Sequence, residues 1–318
     1  MIAIRGKTVL VTGASGLIGT AVVEELLARD ARVVATGRSV ERLRERFGDR
    51  EGVSFLQYDA TKHNNFCFSV DYMIIAASPA SPNLFVSRPV DVMLVNTLAV
   101  NELLEYAVGM KVSKIVYVSS SEVYGRLIPP ETGFTEKHFG EIDISNPRSS
   151  YAEAKRAAEL LCVSYAKQYG LDVSIVRPGH IYGPTSTVND RRVSSLWPRM
   201  AARGEDIVMK SDGAQLRSYV HCRDCATAIV RVLECGEPAE AYNISNRNSV
   251  VTIRELADVI CRVAGVRLRV EVPSERESAV FNPMLNSSLD ASKLESLGWS
   301  AQYDIKAGIE DTLANMRE

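Results

Sequence analysis

The chain has 318 residues, of which 46% are hydrophobic and 24% are charged. These values are typical of folded globular proteins and far from the disordered and membrane-spanning classes, and the length favours one large domain with a smaller lobe. A net charge of -2 and a pI near 6.2 argue against a general nucleic-acid binder, which needs a basic surface to displace counterions from phosphates.

Short runs rich in β-branched residues predict buried parallel strands at residues 8–12, 32–36, 53–58, 72–76, 114–119 and 173–176. Helical patterns alternate with these runs, which predicts a doubly wound α/β sheet of the Rossmann type. After Pro178 the pattern changes to loops and helices, including a helix over 252–264 that Thr252 and Glu255 cap. We therefore expect a dinucleotide-binding domain over 1–176, with a return segment near 218–247. A smaller C-terminal substrate-binding lobe is expected to comprise 177–217 and 248–318.

The cysteine pattern bears on cellular compartment and on metal binding. Six cysteines are scattered along a long chain, which is unlike the disulfide framework of a small secreted domain. His221, Cys222 and Cys225 lack a second cysteine pair at zinc-ribbon spacing, so we expect no metal site. No export signal and no run of about 18 apolar residues is evident. We expect a cytoplasmic protein with reduced thiols and no membrane contact.

The turn between the first strand and the first helix contains Gly13, Gly16 and Gly19. So tight a turn needs the positive φ that glycine tolerates, and a pyrophosphate needs backbone without a Cβ in its way. The following helix N-terminus supplies unpaired N–H groups and the positive end of a dipole. We therefore predict a dinucleotide site, in which we also place Ser15, Leu17 and Ile18.

The end of the second strand indicates which nicotinamide cofactor is held. An acid there binds the ribose 2′-OH of NAD, whereas an arginine accommodates the 2′-phosphate of NADP. This chain has Arg38 after Gly37 and no acid, so we expect NAD or NADP with a preference for NADP. The alternative is that Arg38 simply caps a solvated helix together with Arg42 and Arg44. Asp59, after the third strand, is either a partner of the adenine amino group or a surface turn residue.

A helix that begins near Ser149, with a serine available as its N-cap, is predicted to place Tyr151 and Lys155 on one face, one turn apart. A phenol with its pKa near 10 is a weak base at neutral pH unless a nearby ammonium favours its anion. Lys155 is spaced to supply that ammonium. A cluster of three serines, residues 119–121, ends the preceding strand and adds a hydroxyl for the same site.

Together these motifs resemble the extended short-chain dehydrogenase/reductase family, in particular its NAD(P)-dependent epimerase/dehydratase branch, which acts on nucleotide sugars. The resemblance covers nearly the whole chain and rests on residues 12–19, 119–125, 151–155, 177–184 and 212–217. Relatives of this kind pair through helices that would here contain residues 96–108 and 151–168, so a homodimer is expected.

The resemblance also implies roles for individual residues. Tyr151 would be the base at a sugar hydroxyl, Ser120 would share that hydrogen bond, and Lys155 would hold the nicotinamide ribose. Arg217 would clamp the substrate diphosphate with Arg276 as its partner. The alternative is that each of these arginines only forms a surface salt bridge. Further cofactor contacts are expected from Ala60, Ala76, Ala77, Ser78, Asn96 and Pro178, and a further substrate contact from His180.

Some positions depart from the family pattern. Ile75 and His180 stand where members usually have His and Asn. Residues 77–82, with Ser121 and Glu122, are similar to the nucleotide-sugar decarboxylases. However, the arginine-containing segment that those enzymes carry before their last Asp-x-Ser-Lys is replaced here by residues 281–285.

The expected reaction begins with oxidation at C4 of a hexose, with Tyr151 taking the hydroxyl proton as hydride passes to the nicotinamide. From the 4-keto sugar, 4-epimerisation is the leading prediction because it demands the fewest additional groups. Decarboxylation of UDP-glucuronate is the runner-up, and Glu122 fits it better than it fits epimerisation. 4,6-Dehydration is disfavoured because Ser121 occupies the position of the proton-donating acid. A non-catalytic dinucleotide sensor is the alternative of another class.

Overall fold

The computed structural model describes residues 2–63, 66–126, 133–188, 190–273 and 284–316. Its strands in chain order are β1 (Thr8–Thr12), β2 (Arg32–Gly37), β3 (Val53–Gln57), β4 (Tyr72–Ile75), β5 (Lys114–Val118), β6 (Val173–Pro178), β7 (His180–Tyr182), β8 (Ile207–Met209), β9 (Leu216–His221), β10 (Ala241–Ile244), β11 (Val250–Thr252), β12 (Leu268–Val270) and β13 (Asn286–Ser287).

The helices in chain order are α1 (Leu17–Ala28), α2 (Val40–Phe47), α3 (Pro82–Ser87), α4 (Pro89–Gly109), α5 (Ser150–Tyr169), α6 (Val193–Ala202), α7 (Cys222–Cys235), α8 (Ile253–Ala264), α9 (Ser292–Ser296) and α10 (Ile305–Asn315). Short 3₁₀ turns cover Ser121–Tyr124, Pro147–Ser149 and Arg247–Ser249. No helix in the described part of the chain combines the length and the apolar character needed to cross a membrane.

The central layer is a parallel sheet with the strand order β10-β6-β5-β4-β1-β2-β3. Every residue of β4, β5 and β6 is buried, because helices cover both faces of the sheet. Helices α1 and α7 pack together on one face, and α4 and α5 pack together on the other. The Rossmann-type doubly wound sheet that the apolar runs predicted is confirmed.

The smaller sheets lie among the later elements. Strand β9 pairs with β7, β11 and β13, and β8 pairs with β12. Residues 218–247 were expected to return to the dinucleotide-binding domain, and β10 in that segment does join the central sheet. Residues 218–221 instead belong to β9, which lies in a smaller sheet. The division into two lobes at residue 176 remains a proposal.

Two local predictions about helix starts can be compared with the structure. Thr252 and Glu255 form the expected capping box at the start of α8, since each side chain accepts a hydrogen bond from the other residue's backbone N–H. Ser149 differs from the expectation, because its hydroxyl donates to the carbonyl of Asp143 (2.6 Å) instead of capping α5. A 3₁₀ turn leads directly into α5, so the helix N-terminus is continuous with preceding helical backbone.

Candidate functional site

The turn after β1 brings backbone segments close together at the carboxyl edge of the sheet. Gly13 has a φ of +68°, and a Cβ there would lie 2.8 Å from Ala77 Cα, so backbone conformation and space both require glycine. A Cβ on Gly19 would collide with the Gly13 carbonyl. Helix α1 begins at Leu17 with Gly16 as its N-cap, and its first turn contains no acidic residue. Such a helix end can hold a pyrophosphate.

Thr12 connects this turn to the segment that follows β4. Its Oγ1 accepts hydrogen bonds from the backbone N–H groups of Ala76 (3.0 Å) and Ala77 (3.1 Å). The Ser78 hydroxyl donates to Oδ1 of the buried Asn96 (2.8 Å). These four expected cofactor residues therefore lie together beside the glycine turn, and their contact with a cofactor remains a prediction.

Arg38 lies exposed directly after β2. It does not cap α2, since the Ser39 side chain accepts the hydrogen bond from the Arg42 N–H (3.2 Å). Ser15 of the glycine turn is a neighbour of the preceding residue, Gly37, because the Ser15 hydroxyl lies 3.4 Å from the position of a Cβ on Gly37. Arg38 is therefore placed beside the turn that would bind the cofactor phosphates.

Asp59 forms a local turn at the end of β3. Its Oδ1 accepts hydrogen bonds from the Thr61 hydroxyl (2.8 Å) and N–H (3.1 Å), and these bonds lower the pKa of the carboxyl group. The positive charges of Lys62 and Arg38 act in the same direction. Asp59 and the adjacent Ala60 thus lie on the Arg38 side of the expected cofactor site.

Tyr151 lies where three segments meet at the start of α5. The hydroxyls of Ser120 and Ser78 lie close enough to the Tyr151 hydroxyl to lower its pKa, and the Tyr151 ring stacks on Phe85. Ser120 also caps the 3₁₀ turn after β5, accepting a hydrogen bond from the Glu122 N–H (3.2 Å). The fold therefore brings the serine cluster, the segment after β4 and the tyrosine together at one point.

Lys155 is buried beneath Tyr151. Its ammonium donates to the carbonyl of Val118 (2.8 Å) and lies 4.8 Å from the ring centroid of Tyr117 and 5.9 Å from that of Tyr151. Burial lowers the pKa of Lys155 to about 7, and the charge of Glu159 opposes this effect.

The acidity of Tyr151 differs from the expectation. Burial, together with the negative charge of Glu122, raises the pKa of Tyr151 to about 12. Hydrogen bonds with Ser120 and Ser78 and the positive charge of Arg192 oppose that rise. That the Lys155 ammonium makes this phenol a better base stays a prediction, since the raised pKa reflects burial and the charge of Glu122.

Glu122 forms a bidentate ion pair with Arg148 beside Tyr151. Its Oε2 lies 3.1 Å from Nη1 of Arg148, and its Oε1 lies 3.3 Å from Nη2 of the same residue. Ser121, which precedes it, is buried. The site therefore holds the Glu122 carboxylate, which is paired with Arg148, and the charges of Glu122 and Arg192 both act on the tyrosine hydroxyl.

The expected substrate residues on the smaller sheet lie next to each other. Arg217, on β9, is 3% exposed, and its guanidinium donates to the carbonyls of Met284 (2.7 Å) and Leu216 (2.8 Å). His180, on β7, has a buried Nδ1 with no hydrogen-bond partner among the described residues. Burial and the charges of Arg217 and Arg192 lower the pKa of His180 to about 3, so its ring is neutral at physiological pH.

The remaining predicted positions have simpler outcomes. Pro178 is buried at the end of β6, where it pairs with Ile244 of β10. Ile75 is buried in the last position of β4. Arg276 lies outside the described residues. Among the residues that the structure does describe, no group of three or more His, Cys, Asp or Glu side chains is placed to hold a metal ion.

Three neighbours of Tyr151 were not identified from the sequence: Phe85, Arg148 and Arg192. Arg148 precedes Tyr151 by three residues, a spacing of about one helical turn that could have identified it. Phe85 and Arg192 reach the site through the packing of α3 and of the segment before α6, for which no local pattern exists.

Comparisons with known proteins agree with this geometry. A family model described as the NAD dependent epimerase/dehydratase family matches residues 9–245. UDP-glucuronic acid decarboxylase 6 of Arabidopsis thaliana is 29% identical over 308 residues, which is 95% of this chain and 86% of that protein. The UDP-glucose 4-epimerase of Thermus thermophilus, solved in complex with NAD, is 26% identical with a TM-score of 0.82, over 97% of this chain and 98% of that one.

A dTDP-glucose 4,6-dehydratase, DesIV of Streptomyces venezuelae, was solved with NAD and TYD bound. It is 25% identical with a TM-score of 0.81, over 96% of each chain. The family model spans most of the present chain, including the glycine turn, the serine cluster and the Tyr151–Lys155 pair. The chain therefore belongs to the NAD-dependent epimerase/dehydratase family, the extended short-chain dehydrogenase branch, and is an enzyme of that type.

Proposed function

We propose that this enzyme oxidises C4 of UDP-glucuronate and releases CO2 from the 4-keto intermediate. The observation that carries the proposal is Glu122, whose charge acts on Tyr151 at a position where an epimerase needs no acid. From the sequence, 4-epimerisation ranks first because no arginine is evident to receive a uronate carboxylate. The fold supplies candidates, since Arg148 pairs with Glu122 and Arg192 interacts with Tyr151. The similarity to UDP-glucuronic acid decarboxylase 6 supports the same choice.

The chemistry requires few groups from the protein. A nicotinamide dinucleotide held in this site would supply the oxidation and the later reduction at C4. Tyr151 takes the proton of the C4 hydroxyl, and Ser120 shares the hydrogen bond. The resulting β-keto acid loses CO2 when the bond between C5 and the carboxylate carbon breaks, and that electron pair forms an enolate between C4 and C5. A proton from water is added at C5 and restores the ketone, and Tyr151 returns its proton to the C4 oxygen when C4 is reduced.

The residues fit a nicotinamide dinucleotide. Gly13 leaves room for close approach of a ligand beside Ala77, the start of α1 offers N–H donors to a pyrophosphate, and Lys155 lies one turn beyond Tyr151. We propose NADP as the preferred cofactor because Arg38 directly follows β2. The T. thermophilus structure holds NAD, so a cofactor titration is required to decide the preference.

The product decides between decarboxylation and its alternatives. We expect UDP-glucuronate to yield a nucleotide sugar lighter by one CO2, detected by mass spectrometry and NMR. An unchanged mass with inverted C4 would establish the second candidate, 4-epimerisation, which the fold shared with the T. thermophilus UDP-glucose 4-epimerase favours. A product of UDP-glucose lighter by one water would overturn both assignments. Parallel incubations with UDP-glucuronate and UDP-glucose therefore suffice.

We further propose a homodimer formed through α4 and α5. These two helices pack against each other on one face of the sheet, and their outer sides carry exposed apolar residues. On α4 these residues recur every four positions, and those on α5 are three apart: Val90, Leu94, Leu98, Leu160 and Val163. A second copy of the same face would cover them. Light scattering should give twice the chain mass, and Leu98→Glu should give the monomer mass.

A further inference from the structure

We propose that Arg148 receives the substrate carboxylate, and that this carboxylate replaces Glu122 on the Arg148 guanidinium when the substrate binds. The inference rests on the proposed function, because it requires a substrate that carries a uronate group. The Arg148–Glu122 ion pair would then determine substrate selectivity in addition to stabilising the fold.

The geometry of the pair is that of a carboxylate receptor. Both terminal nitrogens of Arg148 face the two oxygens of Glu122, at 3.1 and 3.3 Å. A planar guanidinium binds any carboxylate in this bidentate manner. The side chains are 12% and 19% exposed, so the guanidinium is already largely removed from water. Replacing one carboxylate by another therefore adds little desolvation cost for Arg148.

The position of the pair matches the chemistry of a uronate. The carboxylate of such a sugar is attached to C5, the neighbour of the carbon whose hydroxyl must reach Tyr151. A receptor for it must therefore lie beside the tyrosine. Arg148 precedes Tyr151 by three residues, its guanidinium lies 5.9 Å from the ring centroid of Phe85, and that ring stacks on Tyr151. Glu122 acts electrostatically on the Tyr151 hydroxyl.

The backbone holds Arg148 in place independently of Glu122. Its N–H donates to Oδ1 of Asn146 (3.0 Å), which caps the 3₁₀ turn that leads into α5. In addition, Nε of Arg148 is buried and has no hydrogen-bond partner in the described part of the chain. A buried donor without a partner is costly, and a ligand that brings an acceptor relieves that cost.

Other arginines near the site are bound in ways that leave less room for exchange. Arg192 is held by Asp190 within its own loop, with Nε to Oδ1 at 3.0 Å and Nη2 to Oδ2 at 2.5 Å. Arg217 donates to backbone carbonyls, which do not move independently of the chain. Glu122 is a side chain on a short turn, so a change of rotamer is sufficient to release Arg148.

Binding measurements on the enzyme loaded with the reduced cofactor, which cannot accept the C4 hydride, test this assignment without turnover. Titration calorimetry with UDP-glucuronate and UDP-glucose should show that the unmodified enzyme prefers the uronate. Arg148→Met should weaken UDP-glucuronate binding by about tenfold or more, the scale of hydrogen bonds to charged groups, and leave UDP-glucose within about twofold. Glu122→Gln should act in the opposite direction and tighten only UDP-glucuronate, because the competing carboxylate is gone.

The same substitution elsewhere on α5 provides the matched control. Arg156 donates to the carbonyls of Val123 (2.7 Å) and Gly140 (2.7 Å), so Arg156→Met should affect both ligands equally. If Arg148→Met does not fold, Arg148→Lys keeps the charge but loses the bidentate geometry, and should weaken UDP-glucuronate selectively.

The outcomes separate this inference from the proposed function. If the unmodified enzyme releases CO2 but Arg148→Met keeps the full preference for UDP-glucuronate, the role of Arg148 is wrong and the proposed function stands. The same conclusion follows if Arg148→Met weakens the binding of both nucleotides equally. An enzyme that releases no CO2 and binds the two nucleotides equally would overturn the proposed function and this inference with it. Tighter UDP-glucuronate binding by Glu122→Gln together with weaker binding by Arg148→Met would establish the exchange.

Discussion

The ring centroids of Phe85 and Tyr151 lie 4.3 Å apart, and the two ring planes are within 6° of parallel. Phe85 belongs to α3 and is 1% exposed, and its carbonyl accepts a hydrogen bond from the Ser150 hydroxyl (3.3 Å). These two contacts hold the first turn of α5 against α3. We infer that Phe85 orients the phenol so that its hydroxyl meets Ser120 and Ser78, which makes it a positioning residue.

Phe85→Leu should therefore lower kcat by about tenfold and change KM by less than about twofold, since the phenol loses its flat support. Loss of an aromatic pair should also cost about 1 kcal/mol of unfolding free energy. Phe55→Leu is the matched control, because Phe55 stacks on Phe47 (6.3 Å, 18°) away from Tyr151. It should lower stability similarly and leave kcat unchanged. Equal losses of kcat in the two variants would contradict the positioning role.

Tyr151→Phe should keep the fold, the Phe85 stack and cofactor binding while losing turnover. The ring is retained and only the hydroxyl that accepts the substrate proton is removed. The rate should fall by at least about a hundredfold, the lower end of general acid–base contributions. Steady-state kinetics together with cofactor titration checks this prediction, and near-normal turnover would show that another group takes the proton.

Lys155 should make the stability of the protein depend on pH. Its pKa in the folded protein is lowered from 10.5 to about 7, so the unfolded chain binds more protons between those values. The stability cost of burying this lysine is fully present below about pH 7 and is relieved as the pH rises toward 10.5. The slope is at most about 1.4 kcal/mol per pH unit.

Urea unfolding of the wild type and of Lys155→Met, from about pH 6 to about pH 9, measures this effect. The difference in unfolding free energy should be flat at the acidic end and should move in favour of the wild type above pH 7. Ending near pH 9 avoids the titration of Tyr151, whose pKa is raised in the folded state. A difference that does not change with pH would show that Lys155 keeps its ordinary pKa.

Arg38 should favour NADP, since a guanidinium pairs with a 2′-phosphate through charge-assisted hydrogen bonds. Calorimetry should show NADP binding at least as tightly as NAD, and Arg38→Ala should reduce any preference. Arg42→Ala is a suitable control, because Arg42 lies exposed one turn along α2 and only its N–H contributes to the helix cap. A clear NAD preference in the unmodified protein would show that Arg38 does not contact the ribose.

The starts of β1 to β6 and the N-cap of α8 could be predicted from the sequence because each depends on neighbouring residues. Buried strands produce continuous apolar runs, and a capping box requires only residues three apart, Thr252 and Glu255. The glycine turn was likewise evident, since Gly13 needs its positive φ whatever surrounds it. The spacing of Tyr151 and Lys155 placed both on one face of α5 for the same reason.

Contacts between distant segments were decided only by the tertiary structure. Phe85 and Arg192 approach Tyr151 from elements that are far away in the chain, and no local sequence pattern predicts that they are close to it. The pKa directions of Tyr151 and Lys155 could not be predicted either, because they depend on how much water the surrounding helices exclude. Burial is a property of the assembled layers, so the sequence by itself determined which groups carry the chemistry, and packing determined the environment in which they act.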